Sequence, residues 1–502
     1  MSRYSFLAID LDIETDRISL GILENGILIL KEIHRFHNHT VKIQGEYHWD
    51  LQLIFAEVVH GLMLNNEKIS SIAVTSWGAD YGLLDAAGEI IGLPFSHRDA
   101  RTVGMMEEVF KQIPAETIFQ YTGLQPEPVN TLFQLFAHAK NKEAEMNRAF
   151  RLLFIPDLLN YYLTGKVQTE FTIASTSQML HRETQTWCMP LVDLVWLPNN
   201  IPATRLSLKA KREARNRMPK EFKPCQIIGP LTPTIAARTG LNDIAVVAVG
   251  SHKTASAVAA IPAEGSDWAY IIADSITLIG VETMLPVMTI DAMGANFTNE
   301  GGVEGTNLFQ KKLSGHSLVE DCRQEWYKHS TLPLDAIWQM SLEAPAFDSF
   351  IDPDHFSFIM SGSKPEAIRG FCMKTGQNIP TSHAQIIRII LESLAMKFRL
   401  TVDEIRKLTG RTIQRLHITG SGSDNEVLCQ FIANACAIQV IAGPVQTTTI
   451  GNILCQARTF GYLKSLDDIR SVAVHSFKTK EYQPNQTHEW DKARIRFQSI
   501  IR

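Results

Sequence analysis

Residues 6–17 read FLAIDLDIETDR, a stretch in which a short apolar run ends in an acid at Asp10. Two further apolar runs follow, Ile18 to Leu23 and Ile27 to Ile33, and the pair Asn25-Gly26 separates them. An Asn-Gly pair between two apolar runs is typical of a tight hairpin turn. The sequence therefore predicts a meander of three strands near the beginning of the chain.

The same pattern returns much later in the chain. Trp268 to Ala273 is apolar, Asp274 follows it, and Thr277 to Val281 resumes an apolar strand after a very short turn. Between the two regions, apolar periodicity predicts the strands Ser71 to Thr75 and Ala245 to Val249 and the helices Asp50 to Leu64 and Val129 to Ala139. This mixture predicts an α/β protein of two related domains, with boundaries at 1–244 and 245–475 and a C-terminal tail at 476–502.

A glycine loop follows a predicted strand in the second half. The amphipathic pattern of Ile386 to Lys407 predicts a long helix, and Arg415 to Thr419 predicts a strand. The loop Gly420 to Ser423 comes next, and Glu426 to Cys436 predicts another helix. A strand, a glycine loop and a helix in this order are typical of nucleotide binding, because backbone N–H groups at a helix start attract phosphate. A short glycine loop between a strand and a helix is, however, more often plain turn chemistry.

Composition excludes several classes of function. The 502 residues are 45% hydrophobic and carry a net charge of -5, without the long basic run that nucleic acid binding requires. No apolar stretch approaches the roughly 18 residues of a membrane span. The seven cysteines show no C-x-x-C spacing, so we expect no metal cluster and a reducing, cytoplasmic compartment.

Short motifs in a fixed order run through almost the whole chain. They are Glu32–Phe36, Trp77–Asp80, Arg98–Thr102, Asn130–Leu135, Leu163–Lys166, Ser251–Val258, Thr298–Gly302, Ile441–Val445 and Gly451-Asn452. In these motifs the chain resembles the FGGY carbohydrate kinases, and within them the kinases of L-rhamnulose-type ketoses. The resemblance implies two actin-like, ribonuclease-H-like domains around a central cleft. It also implies sugar binding on the N-terminal side, ATP binding on the C-terminal side, and magnesium.

The family's catalytic base is an aspartate in the motif that matches Ser251 to Val258, and here Lys253 stands in its place. Phosphoryl transfer to a sugar hydroxyl needs a group that accepts the hydroxyl proton. A lysine ammonium, with an ordinary pKa of about 10.4, has three donors and no acceptor. The resemblance therefore predicts that phosphoryl transfer has been lost.

The family's first phosphate loop matches Asp10 to Arg17. Asp10 and Arg17 are retained, but both glycines of the family pattern are acids here, Asp12 and Asp16. Each substitution adds a side chain where backbone must approach phosphate, and each adds negative charge. This loop is therefore expected to repel the phosphates of ATP.

Further departures fall on other positions that contact ligands in the family. The second phosphate loop matches Ala273 to Ile276, where Asp274 replaces a glycine and is followed by Ser275. Lys312 stands where the family has a sugar-binding asparagine, and Glu320 where it has a glutamine near the nucleotide. The glycines of the C-terminal loop, Gly420 and Gly422, are retained.

The sugar side of the pattern is better preserved. Trp77, Gly78, His252 and Thr254 match the positions that bind the sugar in the family. The resemblance thus implies a sugar or sugar-phosphate ligand, while ATP and magnesium are implied by the family and expected to bind weakly or not at all.

The new charges suggest two hypotheses. In the first, Lys253 pairs with Asp10, Asp12 or Asp274 and fills the space that metal and phosphate occupy in the family. In the second, Lys253 and Lys312 select an anionic sugar. The alternatives left open are an active kinase with a relocated base, Schiff-base chemistry at Lys253, and a structural role as a homo-oligomer or in a pair with an active kinase.

Overall fold

The structure, a computed structural model, describes residues 3–197, 208–274, 276–314, 317–327, 332–360 and 362–501. The chain divides into two compact units. The first consists of Met1–Ala260, Glu282–Phe309 and Thr447–Ser476, and the second of Ile261–Val281, Gln310–Gln446 and Phe477–Arg502. No helix in the described ranges is long and apolar enough to cross a membrane.

The strands are numbered in chain order. They are β1 (Arg3–Asp10), β2 (Thr15–Glu24), β3 (Ile27–His37), β4 (Thr40–Ile43), β5 (Glu46–Trp49), β6 (Ser71–Thr75), β7 (Tyr81–Leu84), β8 (Arg151–Phe154), β9 (Thr169–Glu170), β10 (Leu180–His181), β11 (Thr186–Trp187), β12 (Glu221–Phe222), β13 (Gln226–Pro230), β14 (Ala245–Ala248), β15 (Trp268–Ala273), β16 (Thr277–Thr283), β17 (Thr298–Gly301), β18 (Asn307–Leu313), β19 (Arg415–Thr419), β20 (Gln439–Ala442) and β21 (Lys480–Tyr482).

The helices are numbered in the same way. They are α1 (Leu51–Met63), α2 (Met105–Phe110), α3 (Ala115–Thr122), α4 (Thr131–Asn141), α5 (Glu143–Arg148), α6 (Ile155–Thr164), α7 (Phe171–Ser175), α8 (Met189–Trp196), α9 (Leu208–Asn216), α10 (Pro233–Thr239), α11 (Lys253–Ala259), α12 (Ile290–Gly294), α13 (Leu318–Trp326), α14 (Leu334–Met340), α15 (Phe356–Met360), α16 (Lys364–Lys374), α17 (His383–Thr409), α18 (Glu426–Cys436), α19 (Thr447–Thr459), α20 (Leu466–Ser476) and α21 (Thr487–Ile500).

The first unit is built on a six-stranded sheet in the order β13-β14-β6-β1-β2-β3. The three strands β1, β2 and β3 form the predicted antiparallel meander, which is confirmed. Asn25 (φ 52°) and Gly26 (φ 80°) both adopt the left-handed conformation that a tight hairpin turn requires. Strands β6 and β14 continue the sheet in parallel with β1, so that the ends of β1 and β6 lie side by side.

The second unit repeats this plan in the strands β16-β15-β19-β20-β21, which are part of a seven-stranded sheet in the order β17-β18-β16-β15-β19-β20-β21. Strands β15 and β16 form the predicted antiparallel hairpin, and β19 and β20 continue the sheet in parallel. Helix α17 begins with a capping box between Ser382 and Gln385 and ends at Gly410, which has a φ of 67°. The predicted long helix is therefore confirmed, with bounds a few residues wider than the apolar pattern gave.

Two helices of the first unit pack at unusually short range. A Cβ atom on Gly451 of α19 would lie 1.9 Å from the backbone oxygen of Ser256 in α11. Only a residue without a side chain allows this approach. The close packing fixes α19 against α11, the helix that begins with Lys253.

Candidate functional site

Asp10 is the last residue of β1 and lies beside Thr75, its parallel partner on β6. The hydroxyl groups of Thr75 and Thr449 donate to the two oxygens of the Asp10 carboxyl, and Asn452 Nδ2 lies 3.4 Å from Oδ1. Burial raises the pKa of Asp10, against the opposing effects of these donors and of the Lys253 charge. Both Asp10 oxygens are thus occupied by side chains of the same unit.

The loop after β1 has its backbone amides bonded to oxygens of the chain itself. Leu11 N donates to the Thr75 backbone oxygen at 2.9 Å. Asp12 N donates to Asp16 Oδ1 at 2.7 Å, and Ile13 N donates to Asp12 Oδ1 at 2.7 Å. Three successive N–H groups of the loop that matches the family's phosphate loop therefore already have acceptors.

Asp16 is buried inside this loop, with 0% of its surface exposed. Its Oδ2 atom has no hydrogen-bond partner among the described residues. Burial, with a further contribution from the Asp12 charge, raises the pKa of Asp16 to about 8, although the Asp12 amide and Lys253 act in the opposite direction. The fold therefore favours the uncharged form of Asp16.

Lys253 is the first residue of α11, and its backbone N–H donates to the Ser76 oxygen at 3.0 Å. Its ammonium group donates to Asp12 Oδ2 and forms an ion pair with that carboxylate. The Lys253 and Asp12 side chains are 22% and 34% exposed. Of the three partners predicted for Lys253, the structure confirms Asp12 as the residue in direct contact.

His252 precedes α11 and lies close to the partly buried Glu300. Its Nδ1 atom is 3.2 Å from Glu300 Oε2, a distance for an ion pair, but the two atoms lack hydrogen-bond geometry. Arg182 is also buried, and its Nη2 atom has no hydrogen-bond partner among the described residues. Burial lowers the pKa of Arg182 to about 10, and the Glu300 charge opposes that effect. Three buried polar atoms here retain the capacity to bind polar groups of a ligand.

Trp77 and Gly78 lie on the connection after β6. Trp77 Nε1 donates to Asp80 Oδ2 at 2.9 Å, and Trp49 Nε1 donates to the same oxygen at 2.7 Å. A Cβ atom on Gly78 would lie 2.7 Å from Thr176 Oγ1, so this position requires glycine for close packing. Thr254, the second residue of α11, is buried.

The glycine loop of the second unit faces Asp274. Ser421 N donates to Asp274 Oδ1 at 3.0 Å. Gly420 has a φ of 80°, and a Cβ atom there would lie 2.6 Å from the same carboxylate oxygen. Gly422 is buried in a short 3-10 helix that follows. An acid at a family glycine position thus accepts a loop N–H in this unit too.

The other predicted site residues have simpler surroundings. Glu320 on α13 pairs within its own helix with Arg323, at 2.6 Å between Oε1 and Nη2, which lowers the Glu320 pKa. Lys312 is an exposed residue of β18. Arg17 on β2 is the cross-strand partner of Asp10. Ser275 lies outside the described residues.

Sequence reasoning missed the hydroxyl partners of Asp10. The signal for Thr75 was present, because parallel strands that end together place their last residues side by side. Thr449 stands two residues before the motif Gly451-Asn452, but its role depends on how α19 packs, which no local pattern gives.

Comparison with known structures identifies the class of fold. The chain aligns with the xylulose kinase of Lactobacillus acidophilus at a TM-score of 0.80 and 17% identity, covering 99% of this chain and 97% of that one. The Plasmodium falciparum glycerol kinase structure with ADP aligns at a TM-score of 0.76 and 14% identity, covering 99% and 97%. The fold is thus the two-domain α/β fold of sugar kinases, as predicted.

The family follows from sequence comparison. The N-terminal domain of the FGGY family of carbohydrate kinases matches residues 7–259, and its C-terminal domain matches residues 269–460. The chain belongs to the FGGY family of carbohydrate kinases, whose members use ATP and magnesium. It is 38% identical to a rhamnulokinase of Bacteroides thetaiotaomicron, with all of both chains covered. It is 36% identical to one of Pectobacterium carotovorum, covering 100% of this chain and 97% of the relative.

Proposed function

We propose that this chain is a rhamnulokinase-like FGGY protein that binds a sugar or sugar phosphate and has lost ATP-dependent phosphoryl transfer. The observation that carries the proposal is the contact between Lys253 Nζ and Asp12 Oδ2. A residue with no acceptor occupies the family's base position, and its charge is already engaged by the neighbouring loop. The position that accepts the hydroxyl proton in the family therefore has no acceptor of its own.

The surroundings of Asp10 and Asp12 do not fit ATP with magnesium. A phosphate bound at this loop needs free backbone donors, and the amides of Leu11, Asp12 and Ile13 have other acceptors. In the second unit, the Ser421 amide is similarly engaged by Asp274. The Asp12 charge adds repulsion of the triphosphate.

A sugar ligand fits the first unit better. We assign the sugar to the surroundings of Trp77, Gly78, His252 and Thr254, which all belong to the first unit. His252 Nδ1 and Glu300 Oε2 are buried without hydrogen-bond partners among the described residues, and sugar hydroxyls supply both donors and acceptors to such atoms.

Nucleotide binding by the purified full chain tests the proposal. A thermal melt with ATP and magnesium should match a melt with magnesium alone, because a ligand that does not bind the folded state does not stabilise it. The triple variant Asp12→Gly, Asp16→Gly, Asp274→Gly is the matched comparison, and we expect it to gain ATP-dependent stabilisation. Clear stabilisation of the unmodified chain by ATP would contradict the proposal.

Calorimetry with a neutral ketose and its phosphorylated form tests the sugar side. Binding of either form supports the sugar assignment, and the preferred form decides whether the lysines select an anion. Absence of binding by a broad set of ketoses, aldoses and their phosphates would overturn it.

The second candidate is an active kinase for an L-rhamnulose-like ketose in which Asp12 serves as the base. Its support is that the Asp12 carboxylate contacts the side chain at the base position, in a chain 38% identical to a rhamnulokinase over its full length. Asp12 would then accept the hydroxyl proton in place of the missing aspartate. A coupled ADP-release assay decides between the two candidate functions. Turnover by the unmodified chain that disappears in Asp12→Asn would support relocation of the catalytic base to Asp12.

A further inference from the structure

Asp80 ends the short connection between β6 and β7, which also contains Trp77, and only 1% of its surface is exposed. Its Oδ2 atom accepts Trp49 Nε1 at 2.7 Å and Trp77 Nε1 at 2.9 Å. His97 Nδ1 lies 2.8 Å from the same oxygen. The other oxygen, Oδ1, accepts Gln134 Nε2 at 2.9 Å. Side-chain nitrogens from separate parts of the first unit therefore converge on one carboxylate.

This position requires a carboxylate and not merely a small polar side chain. Burial raises the pKa of Asp80, but the charge of His97 and the hydrogen bonds from His97 and Gln134 outweigh that effect, so the pKa is lowered. Arg101 Nη2 donates to Gln134 Oε1 at 2.5 Å, which fixes the amide so that Nε2 faces Asp80. An asparagine at position 80 would have one acceptor oxygen, and its own NH2 group would meet another donor. Replacing the carboxylate therefore leaves at least one donor without an acceptor.

The turn that Asp80 closes has a backbone conformation that alanine rarely adopts. Ala79 has a φ of 73°, in the left-handed region that is unfavourable for a residue with a side chain. Its N–H donates to Thr176 Oγ1 at 3.2 Å, and its carbonyl oxygen accepts Thr131 Oγ1 at 2.7 Å. The Asp80 N–H donates to the Gly78 oxygen at 3.0 Å. Strained residues of this kind persist only where their surroundings hold them, and they cluster at ligand sites.

The same connection is joined by backbone hydrogen bonds to the beginning of α11. Ser76 and His252 form an isolated parallel bridge. Ser76 N donates to the Ser251 oxygen at 2.9 Å, and Lys253 N donates to the Ser76 oxygen at 3.0 Å. The four positions assigned to the sugar fall on the two segments that this bridge joins. A shift of the turn at Asp80 would therefore change how these positions face one another.

The Trp77 indole N–H is used inside the protein and does not serve a ligand. Trp77 is 4% exposed, and its Nε1 atom already has Asp80 as acceptor. The Trp49 ring packs against it, with ring centroids 4.5 Å apart. A carboxylate that served the fold alone would account for these contacts, but it would not account for a strained turn beside Gly78. A role in positioning the turn accounts for both observations.

We propose that Asp80 is a positioning residue of the sugar site: its carboxylate holds the Trp77 indole and the turn at Gly78 and Ala79 in place against the beginning of α11. This role rests on the proposed sugar site, and it involves no direct contact between Asp80 and the ligand. Asp80 acts through Trp77 and Gly78, because both of its oxygens are occupied by other side chains. Loss of the carboxylate should therefore change the surroundings of Trp77 and, as a consequence, the affinity for sugar.

Fluorine NMR of the full chain labelled with 5-fluorotryptophan reports the surroundings of Trp77 without any ligand. The Trp77 resonance, identified by its absence in Trp77→Phe, should move in Asp80→Asn. His97→Leu removes one donor but leaves the carboxylate and both indoles, and it should move the resonance by less. Asp85→Asn, which replaces a half-buried aspartate just after β7, is the matched control and should leave the resonance in place. An unchanged Trp77 resonance in whichever of the two variants folds would overturn the proposal.

Calorimetry with the sugar that the unmodified chain binds measures the consequence for the site. The dissociation constant should rise about tenfold or more in Asp80→Asn and by less in His97→Leu, at a temperature where both are folded, because contact groups without their support are misplaced. Asp85→Asn should keep the original constant. An Asp80→Asn variant that melts earlier but binds sugar with unchanged affinity would show that the carboxylate serves the fold alone, and the proposal would be wrong. Absence of sugar binding by the unmodified chain would contradict the proposed function instead, and the fluorine spectra would still decide whether Asp80 holds Trp77.

Discussion

The backbone N–H of Asp12 donates a hydrogen bond of 2.7 Å to the carboxyl group of Asp16, four residues later in the chain. In a phosphate loop such an N–H faces a phosphate oxygen. Here a carboxyl oxygen of the same loop is the acceptor. One acid of this loop therefore occupies a backbone donor that a bound phosphate would need.

Replacing Asp16 by Asn should change how stability depends on pH. The ordinary pKa of aspartate is about 3.9, and that of Asp16 is raised to about 8 in the folded chain. Between these values the folded state holds a proton that the unfolded state has released. The free energy of unfolding then falls as pH rises, with a slope of at most about 1.4 kcal/mol per pH unit from this group.

Asp16→Asn should remove that contribution and be more stable than the unmodified chain near pH 7. Urea unfolding between pH 5 and pH 9 measures the slope. Asp467→Asn, at an exposed position of α20, is the control and should retain the original slope. An unchanged slope in Asp16→Asn would show that Asp16 is ionised in the folded state.

Restoring the family's aspartate at position 253 should not restore kinase activity. Lys253→Asp supplies a base, but it also places a carboxylate beside Asp12 where an ammonium now lies. The Asp12 and Ile13 amides would keep their present acceptors. We expect ADP release in a coupled assay to stay at the background rate with all common ketoses and aldoses. Turnover by this single variant would show that the loops do not prevent nucleotide binding.

Much of the fold was predictable from sequence, because it depends on short-range patterns. The meander of β1 to β3 follows from three apolar runs and one Asn-Gly turn, and strand β19 ends where its apolar run ends. The contact between Lys253 and Asp12 was also predictable as one of three pairings. Which of the three predicted acids contacts Lys253 depends on the path of the loop after β1, and the sequence does not specify that path.

Other parts of the site were not predictable. The Asp16 carboxyl is buried and accepts a hydrogen bond from the backbone of its own loop. The spacing of Asp12 and Asp16 in the sequence is equally compatible with a carboxyl exposed to solvent. The engagement of both Asp10 oxygens by Thr75 and Thr449 likewise depends on how α19 packs beside β1 and β6. Tertiary packing decides both features.

Gly420 should not tolerate a side chain. Its φ of 80° is strained for alanine, and the added Cβ would lie 2.6 Å from Asp274 Oδ1 and 2.8 Å from the Ala273 oxygen. We expect Gly420→Ala to lower the free energy of unfolding by about 1–3 kcal/mol in denaturant titrations. Adding Asp274→Gly should recover only part of this loss, because the backbone contact and the strained φ remain. Full recovery would assign the whole cost to the carboxylate.

Gly451 should be at least as sensitive as Gly420 to an added side chain. An added Cβ would lie 1.9 Å from the Ser256 oxygen, so Gly451→Ala must push α19 away from α11, at an expected cost of about 1–3 kcal/mol or more. Gly370→Ala in α16 is the matched control, because its added Cβ would meet no atom within 4 Å apart from its chain neighbours and the nearby backbone of its own helix. That variant should be neutral or slightly stabilising. Equal stability of the two variants in denaturant titrations would mean that the helices separate easily.

The contact between Gly451 and Ser256 also bears on how members of a protein family are recognised. Gly451 is part of a motif that marks the family, yet its requirement here arises from the distance between two helix backbones. Selection for a stable fold alone would keep this glycine in a descendant that no longer performs the ancestral reaction. Signatures of this kind record common ancestry, and only the residues that touch the reacting groups report whether the chemistry survives.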